Sequence, residues 1–450
     1  MITVMKFGGT SVGSVDALSR TASIIAETEG SKVVIVSAMS GVTNYLISIL
    51  DGVGEIEKLA ETMIKKHSDA AKELMSKEFY NEYMTELKKR VDSLTALMTD
   101  KEAAKDPFYR DNISSQGERF SSLILAYTLR SRGYDSVALT SEQAGIFATG
   151  KPESGEADLE RTALGLSLNV VPLLNKNCIP VITGFYGRND EGKPLTFGRG
   201  GSDYSAAAVA NAINADLLEI WTDVDGFMTA DPRVVPNAVT IDEMNFGEAA
   251  ELAYFGAKVL HPRTIEPVRV KHIPLKVRNT FNPGASGTLI HQHRLPKSEL
   301  LRSVATKIDL SIICVSSAEI AYRPQMVFRI MEKIADANVI MYAMSTSLST
   351  IAFLIHNLDV KEALKHLNLL DKTDIERIDV KSNMALVCAV GDNLLSKCGV
   401  SADIFGAVKD AGANVELISE GASDVSLNFV VPTDRVMDVI RILHEKFIGD

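Results

Sequence analysis

What the 450-residue sequence lacks narrows its chemistry first. Its four cysteines (Cys178, Cys314, Cys388 and Cys398) form no Cys-x-x-Cys pair. They sit mostly within apolar runs, as free thiols of a reducing compartment do, and no zinc site is implied. Basic charge is short as well. The 47 Lys and Arg against 58 Asp and Glu leave a net charge of −11, which opposes a general nucleic-acid or anionic-membrane surface yet allows a local basic pocket for a small anion. No apolar run approaches the ~18 residues of a membrane span. The N-terminus has no basic head followed by the about 7 to 15 apolar residues of a signal peptide, so a cytoplasmic protein is expected. Packing material is plentiful: 46% hydrophobic and 23% charged residues over this length suit two or three domains better than one core.

Up to about residue 290 short β-branched runs such as Val33-Val34-Ile35-Val36, Ile179 to Ile182 and Leu217 to Thr222 alternate with loops and helical patterns. Continuous apolar strands of this kind predict a sheet buried on both faces, hence an α/β layer architecture with a mostly parallel sheet. Between about Glu55 and Met98 apolar residues at helical spacing (Leu59, Met63; Leu87, Val91, Leu94, Met98) predict one or two long helices, read as an arm or lid standing off the sheet. The polar stretch HQHRLPKS, from His291, marks a domain boundary. Beyond it lies a weak repeat. "MVFRIMEKIADANVIMYAMSTSLSTIAFLI" and "VSADIFGAVKDAGANVELISEGASDVSLNFVV" share the order helix, Asn-Val, strand, turn, strand, with Asn338 and Asn414 roughly 76 residues apart. Two small α+β modules with paired sheets are expected, over about 307–378 and 379–450.

Five stretches of the first part carry chemistry. In MKFGGTSVGS the first strand ends at Lys6-Phe7-Gly8-Gly9 and a helix starts after Ser14 as N-cap. The paired glycines let backbone amides approach an anion, with Lys6 in reach; alone, the motif reads equally as a tight turn beside a snorkelling lysine. It is not a Walker A loop, in which the lysine follows the glycines. VVIVSAMSGVTN puts Ser37, Ser40 and Thr43 at the same strand edge, where open α/β sheets bind ligands. SSQGERFSS offers Glu118 and Arg119, either as a carboxylate pointing into that cleft or as a solvated ion pair. TFGRGGSDYSAAAVANAINA is more specific. Gly198, Gly200 and Gly201 flank Arg199, a side chain suited to bidentate capture of carboxylate or phosphate, and Ser202 (as N-cap) and Asp203 open an alanine-rich helix. In EIWTDVDGFMTADPRVV an EF-hand starting at Asp223 fails, because its sixth and twelfth positions hold Met228 and Val234. The polar loop with Thr222, Asp223, Asp231 and Arg233 instead suits the border of a nucleotide. FGAKVLHP adds Lys258, which gains interest only from its company.

In this order KFGGTSV, VSAxSGVTN, GRGGSDY, TDVDG with ADPR, and FGAKVLHP resemble the aspartate kinases of the amino-acid kinase family, over essentially the whole chain. The resemblance implies the carbamate kinase-like αβα sandwich over 1–292, two ACT (βαββαβ) modules over 298–450 of which a strand around 300–306 could complete the second, and ATP-dependent phosphorylation of the aspartate side chain. By this resemblance Lys6 and Lys258 contact the transferring phosphates and Asp203 organises them. Gly8, Gly9, Gly200 and Gly201 present amides. Ser37, Thr43, Glu118 and Arg199 hold L-aspartate, with Arg199 on its α-carboxylate and Glu118 on its ammonium. Thr222, Asp223, Met228, Asp231 and Arg233 receive the nucleotide, Met228 standing where many members carry tyrosine. The cofactor is ATP with Mg²⁺, and no protein metal cage is specified. A carboxylate with an ordinary pKa of about 3.9 is already ionised at neutral pH, so the absence of a general base agrees with the chemistry.

The resemblance further implies amino-acid feedback through the ACT modules, a homodimer built by them, and pairing of dimers into a tetramer as an open alternative. Asn338, Ile340, Ser345 and Ser347 are its effector candidates. Tyr342 stands where lysine-inhibited members typically carry an aspartate, which leaves threonine, lysine and the absence of a strong effector all open. The rival readings are a glutamate-type amino-acid kinase, against which the ACT-like repeat and GRGGSDY argue, and a non-catalytic amino-acid sensor, against which the joint presence of Lys6, Arg199, Asp203 and Lys258 argues.

Overall fold

The computed structural model describes residues 1–256, 259–293, 300–318, 320–371, 375–392, 394, 398–421 and 423–449. It divides into two compact units. The first comprises Met1–Phe227, Asp242–Phe246 and Val259–His293, and the second Met228–Ile241, Gly247–Lys258 and Arg294–Asp450. The division therefore assigns two segments that precede residue 292 to the second unit.

The first unit is built on an eight-stranded sheet. Its strand order is Glu243–Asn245, Thr288–His291, Leu275–Asn279, Leu217–Thr222, Ile2–Phe7, Ser31–Val36, Ile179–Thr183 and Ser136–Leu139. Every neighbouring pair is parallel except Leu275–Asn279 with Thr288–His291. The continuous apolar runs are buried on both faces: Val33, Val34, Ile35 and Val36 have no exposed surface. At about 1.5–3 kcal/mol for each fully buried Val or Ile side chain, these strands belong in the middle of the sheet. One face (Met5, Phe7, Val34, Val36, Val181 and Trp221) shares a core with Leu18, Ala22 and Ile25 of helix Val15–Glu27 and with Phe120 and Ile124 of helix Gln116–Ser131. Helix Gly201–Ala212 covers strands Ile2–Phe7 and Ser31–Val36 on the other face.

The long helices appear as Leu59–Leu74 and Lys77–Thr99, and they are not an arm. Leu59, Met63, Tyr83, Leu87, Val91 and Leu94 are buried in that same core. Both helices pack on helix Gln116–Ser131, and the His67 ring lies 5.1 Å from that of Phe120. An amphipathic stripe this complete gains more by burial than it would as a solvated lid.

The second unit holds one six-stranded antiparallel sheet in the order Met341–Thr346, Thr350–His356, Ser303–Ser316, Arg377–Val390, Ser426–Pro432 and Leu417–Ser419. Its two central strands are 14 residues long and serve both modules. Ser303 to Lys307 pair with Val390 to Leu386, whereas Leu310 to Ser316 pair on one side with His356 to Thr350. The register shifts between Lys307 and Leu310, where Asp309 is left-handed at φ 62°. The repeat thus folds as two modules with joined sheets, each with its own core beneath its helices. The sequence pairs Asn338 with Asn414, but the backbone pairs it with Gly412. Each is the left-handed residue just after a helix C-cap, Ala337 or Ala411. Among the described residues no helix is long and apolar enough to cross a membrane.

Candidate active site

Strand parity selects the side on which Lys6 emerges. Met5 and Phe7 point into the core, so Lys6 points to the opposite face, the one roofed by helix Gly201–Ala212. There its Nζ forms an ion pair with Asp203, in the first turn of that helix, where a carboxylate also complements the helix dipole. Lys6 is 7% exposed. The strand ends of Ile2–Phe7, Ser31–Val36, Ile179–Thr183 and Leu217–Thr222 lie in register at one edge, since Phe7 pairs with Val36 and Trp221, and Val36 with Thr183.

At that edge the structure gathers Lys6, Ser37, Thr43, Glu118, Arg199, Gly200, Gly201 and Asp203 around one cleft of about 300 Å³. Gly8, Gly9, Thr222 and Asp223 follow the same strand ends. The Gly8 amide donates to the Trp221 carbonyl oxygen at 3.1 Å, so it is not an anion donor as the resemblance implies. Gly9 is required by a close approach: a Cβ there would lie 2.9 Å from the Ala38 carbonyl oxygen. Ser14 caps helix Val15–Glu27 as expected, accepting from the Ala17 amide.

The cap of helix Gly201–Ala212 is Gly200, not Ser202. Gly200 is left-handed at φ 68°, and a Cβ on it would fall 2.3 Å from Cβ of His261. Only glycine meets both conditions. Arg199 is exposed at the tip of this turn and forms no ion pair among the described residues. The approach strand of the turn is tied down by Asp111, a buried carboxylate that accepts from the Thr196 amide and hydroxyl, each at 2.7 Å, and from the Glu153 amide at 3.0 Å.

Glu118 and Arg119 do not form a pair. Both lie in the first turn of helix Gln116–Ser131, where successive side chains diverge. Glu118 turns to the cleft and Arg119 turns away to Glu142 at 2.5 Å. Glu118 is buried; its Oε1 accepts from the Ala38 amide at 3.0 Å, and its Oε2 has no protein partner. Burial pushes the Glu118 carboxyl up to about 8, against the opposing pull of that amide and of Lys6. A buried acid with one free oxygen facing a cleft is suited to a cationic ligand group.

The remaining candidates are not among the residues lining the cleft. Thr222 donates to Asp223, while Met228, Asp231 and Arg233 fall in the second unit. Arg233 closes on Asp231 through its backbone and guanidinium, and the neighbouring Ala230, Val234 and Val235 join the core of the second module. Lys258 lies outside the described residues. Among the effector candidates, Asn338 terminates a helix, Ile340 is exposed, Ser345 lies on strand Met341–Thr346, and Ser347 closes the following turn through Thr350. Among the described residues no three His, Cys, Asp or Glu side chains converge as metal ligands.

Three cleft features escaped the sequence. The Ala38 backbone wedges between Gly9 and Glu118, Phe185 lines the cleft at an unfavourable φ of 79°, and His261 packs under Gly200. The only local hints are Gly184 before Phe185 and the LHP that ends FGAKVLHP.

A family model described as the amino acid kinase family matches residues 1–279, and an ACT domain model matches residues 387–447. The chain is 31% identical to lysine-sensitive aspartokinase 3 of Escherichia coli (strain K12), covering 98% of both chains. It is 29% identical to chloroplastic aspartokinase 2 of Arabidopsis thaliana, over 99% of this chain and 84% of that one. Its backbone resembles the crystal structure of E. coli aspartokinase III in complex with aspartate and ADP (R-state), with a TM-score of 0.85, 30% identity and 99% of each chain covered. The chain therefore belongs to the amino acid kinase family, among its aspartokinases with C-terminal ACT domains.

Proposed function

We infer that this protein transfers the γ-phosphoryl group of ATP to the side-chain carboxylate of L-aspartate, giving 4-phospho-L-aspartate. The observation that carries this reading is one cleft in which an unpaired Arg199, a buried Glu118 with a free oxygen and the Lys6–Asp203 pair converge. The charge types lining the cleft match those of an amino acid with a second carboxylate. Arg199 takes the α-carboxylate through parallel N–H bonds, and Glu118 receives the ammonium, whose charge draws the acid into its ionised form. Ser37 and Thr43 supply hydroxyls beside them.

The acceptor carboxylate is ionised without help, so the chain contributes position and charge rather than a base. Lys6 faces the negative charge that spreads over the moving phosphoryl group, Asp203 holds the Lys6 ammonium in place, and the amides at the start of helix Gly201–Ala212 add their dipoles. Mg²⁺, bound to the nucleotide phosphates, supplies further charge neutralisation. Lys258 is assigned to the same phosphates. The experiment supplies ATP, Mg²⁺ and either aspartate or glutamate and traps the acyl phosphate with hydroxylamine. Aspartate-dependent hydroxamate is expected, and equal turnover of glutamate overturns the substrate assignment.

Regulation and assembly are assigned to the first module. Tyr322, Phe328, Ile340 and Leu348 are exposed there, at 73%, 68%, 58% and 64%, large apolar side chains whose burial against a partner would be favourable. A second copy of this chain is the assigned cover, with an amino-acid effector, lysine or threonine, near Ser345 and Ser347. Phe328→Glu is expected to shift the mass measured by light scattering to that of a monomer.

A further inference from the structure

A second cavity of about 350 Å³ opens in the first unit and shares no lining residue with the cleft. Its lining carries two cations, Arg161 and Arg188, against one acid, Glu142. Both oxygens of Glu142 are already engaged, one by Arg119 at 2.5 Å and the other by the Tyr186 hydroxyl at 2.9 Å. Two arginines remain. Their guanidinium carbons lie 4.3 Å (Arg161) and 4.2 Å (Arg188) from the centre of the Phe147 ring. Arg161 pairs with Asp190 at 2.6 Å, whose side chain is 79% exposed, and more loosely with Asp158 at 3.9 Å; the contact with Asp190 is weak enough for a ligand to replace. Arg188 has no ion pair among the described residues, and its buried Nε–H meets no acceptor. A buried N–H of a cation without a partner is uncommon in folded proteins and costs free energy until an acceptor arrives.

The rest of the wall is apolar. Leu164 and Leu168, four residues apart on helix Leu159–Asn169, are 68% and 75% exposed at the cavity. Together with Phe147 they offer a hydrophobic surface opposite the cationic one. A phosphate ion would use only the arginines, and a free amino acid would bring its ammonium towards two cations. We propose that this cavity binds a small organic carboxylate with an apolar body of branched-aliphatic or phenyl size, its carboxylate held by Arg188 and Arg161 and its body against Phe147, Leu164 and Leu168. The floor joins the cleft through one element: Arg119, which holds Glu142, is the neighbour of Glu118 in helix Gln116–Ser131.

The test uses the full chain, with phenylacetate as the probe in calorimetric titration. Wild-type protein is expected to bind it with a Kd on the order of 1 mM, as suits so small a ligand, and phenylacetamide is expected to give no binding. Arg188→Gln is expected to weaken binding at least about tenfold while leaving the KM for aspartate unchanged. Leu168→Asp, at an exposed position that does not threaten the fold, is expected to weaken it similarly. Arg199→Ala is expected to leave phenylacetate binding intact, which separates this cavity from the aspartate cleft. The proposal is overturned by absence of phenylacetate binding, by undiminished binding in both cavity variants, by loss in Arg199→Ala alone, or by equally tight binding of inorganic phosphate. Dissociation of an oligomer by Leu168→Asp also overturns it, since the cavity would then be part of a subunit contact.

Discussion

The two glycine-rich turns of the first unit look alike in sequence, KFGG and GRGG, yet the structure gives their cations opposite surroundings. In the first the cation is buried and paired, Lys6 with Asp203, and Gly8 commits its amide to Trp221. In the second the cation is exposed and unpaired, and the left-handed Gly200 opens a twelve-residue helix against His261. A paired buried lysine is already oriented and suits charge that appears only during transfer. An unpaired exposed arginine has a vacancy to fill and suits ground-state binding. The difference comes from position: strand parity buries a side chain, whereas a turn tip cannot.

Kinetic and stability measurements can break this comparison. Lys6→Ala carries the largest expected effect, a loss of at least about 100-fold in kcat in the hydroxamate assay, with a smaller change in the KM for aspartate. An equal change in both would put Lys6 in ground-state binding. Gly200→Ala comes next. A left-handed alanine costs roughly 1–2 kcal/mol, and the contact with His261 adds to it, so thermal unfolding is expected several degrees lower together with weakened aspartate binding. Arg199→Ala is expected to raise the KM for aspartate about tenfold or more with an unchanged melting temperature, because the side chain is exposed and holds nothing in the folded chain.

Glu118 supplies a finer test through pH. Its carboxyl titrates near 8 in the folded protein, well above the ordinary carboxylate value near 4.5. From about pH 4.5 to 8 the folded chain holds a proton that the unfolded chain has lost, so this group's contribution to stability falls as pH rises through that window. Aspartate affinity runs the other way. The ammonium needs the ionised acid, so affinity is expected to rise with pH up to about 8 and then level, with a proton released on binding. Calorimetry in buffers of different ionisation enthalpy reads that proton, and Glu118→Gln is expected to remove both dependences. A smaller effect belongs to His67, which burial holds down to about 4. The unfolded chain binds its proton first, so stability is lost as pH falls from 6.5 through 4, and denaturant midpoints in that range are expected to flatten in His67→Phe.

The sequence by itself determined the parallel sheet, because buried strands leave continuous β-branched runs, and the repeat, because two modules keep the same order of helix and strands. It also marked most cleft residues, since glycines, hydroxyls and isolated charges at strand ends are local signals. Tertiary structure alone decided what depends on partners distant in the chain. Glu118 parts from Arg119 because Ala38 and Glu142 meet one helix on different sides, Lys6 meets Asp203 across 197 positions of sequence, and the two long helices pack down because helix Gln116–Ser131 presents an apolar face to them. Periodicity reports which face of an element is apolar. Only the folded chain supplies what that face meets, and the meeting sets the charge state of Glu118, the pairing of Lys6 and the freedom of Arg199.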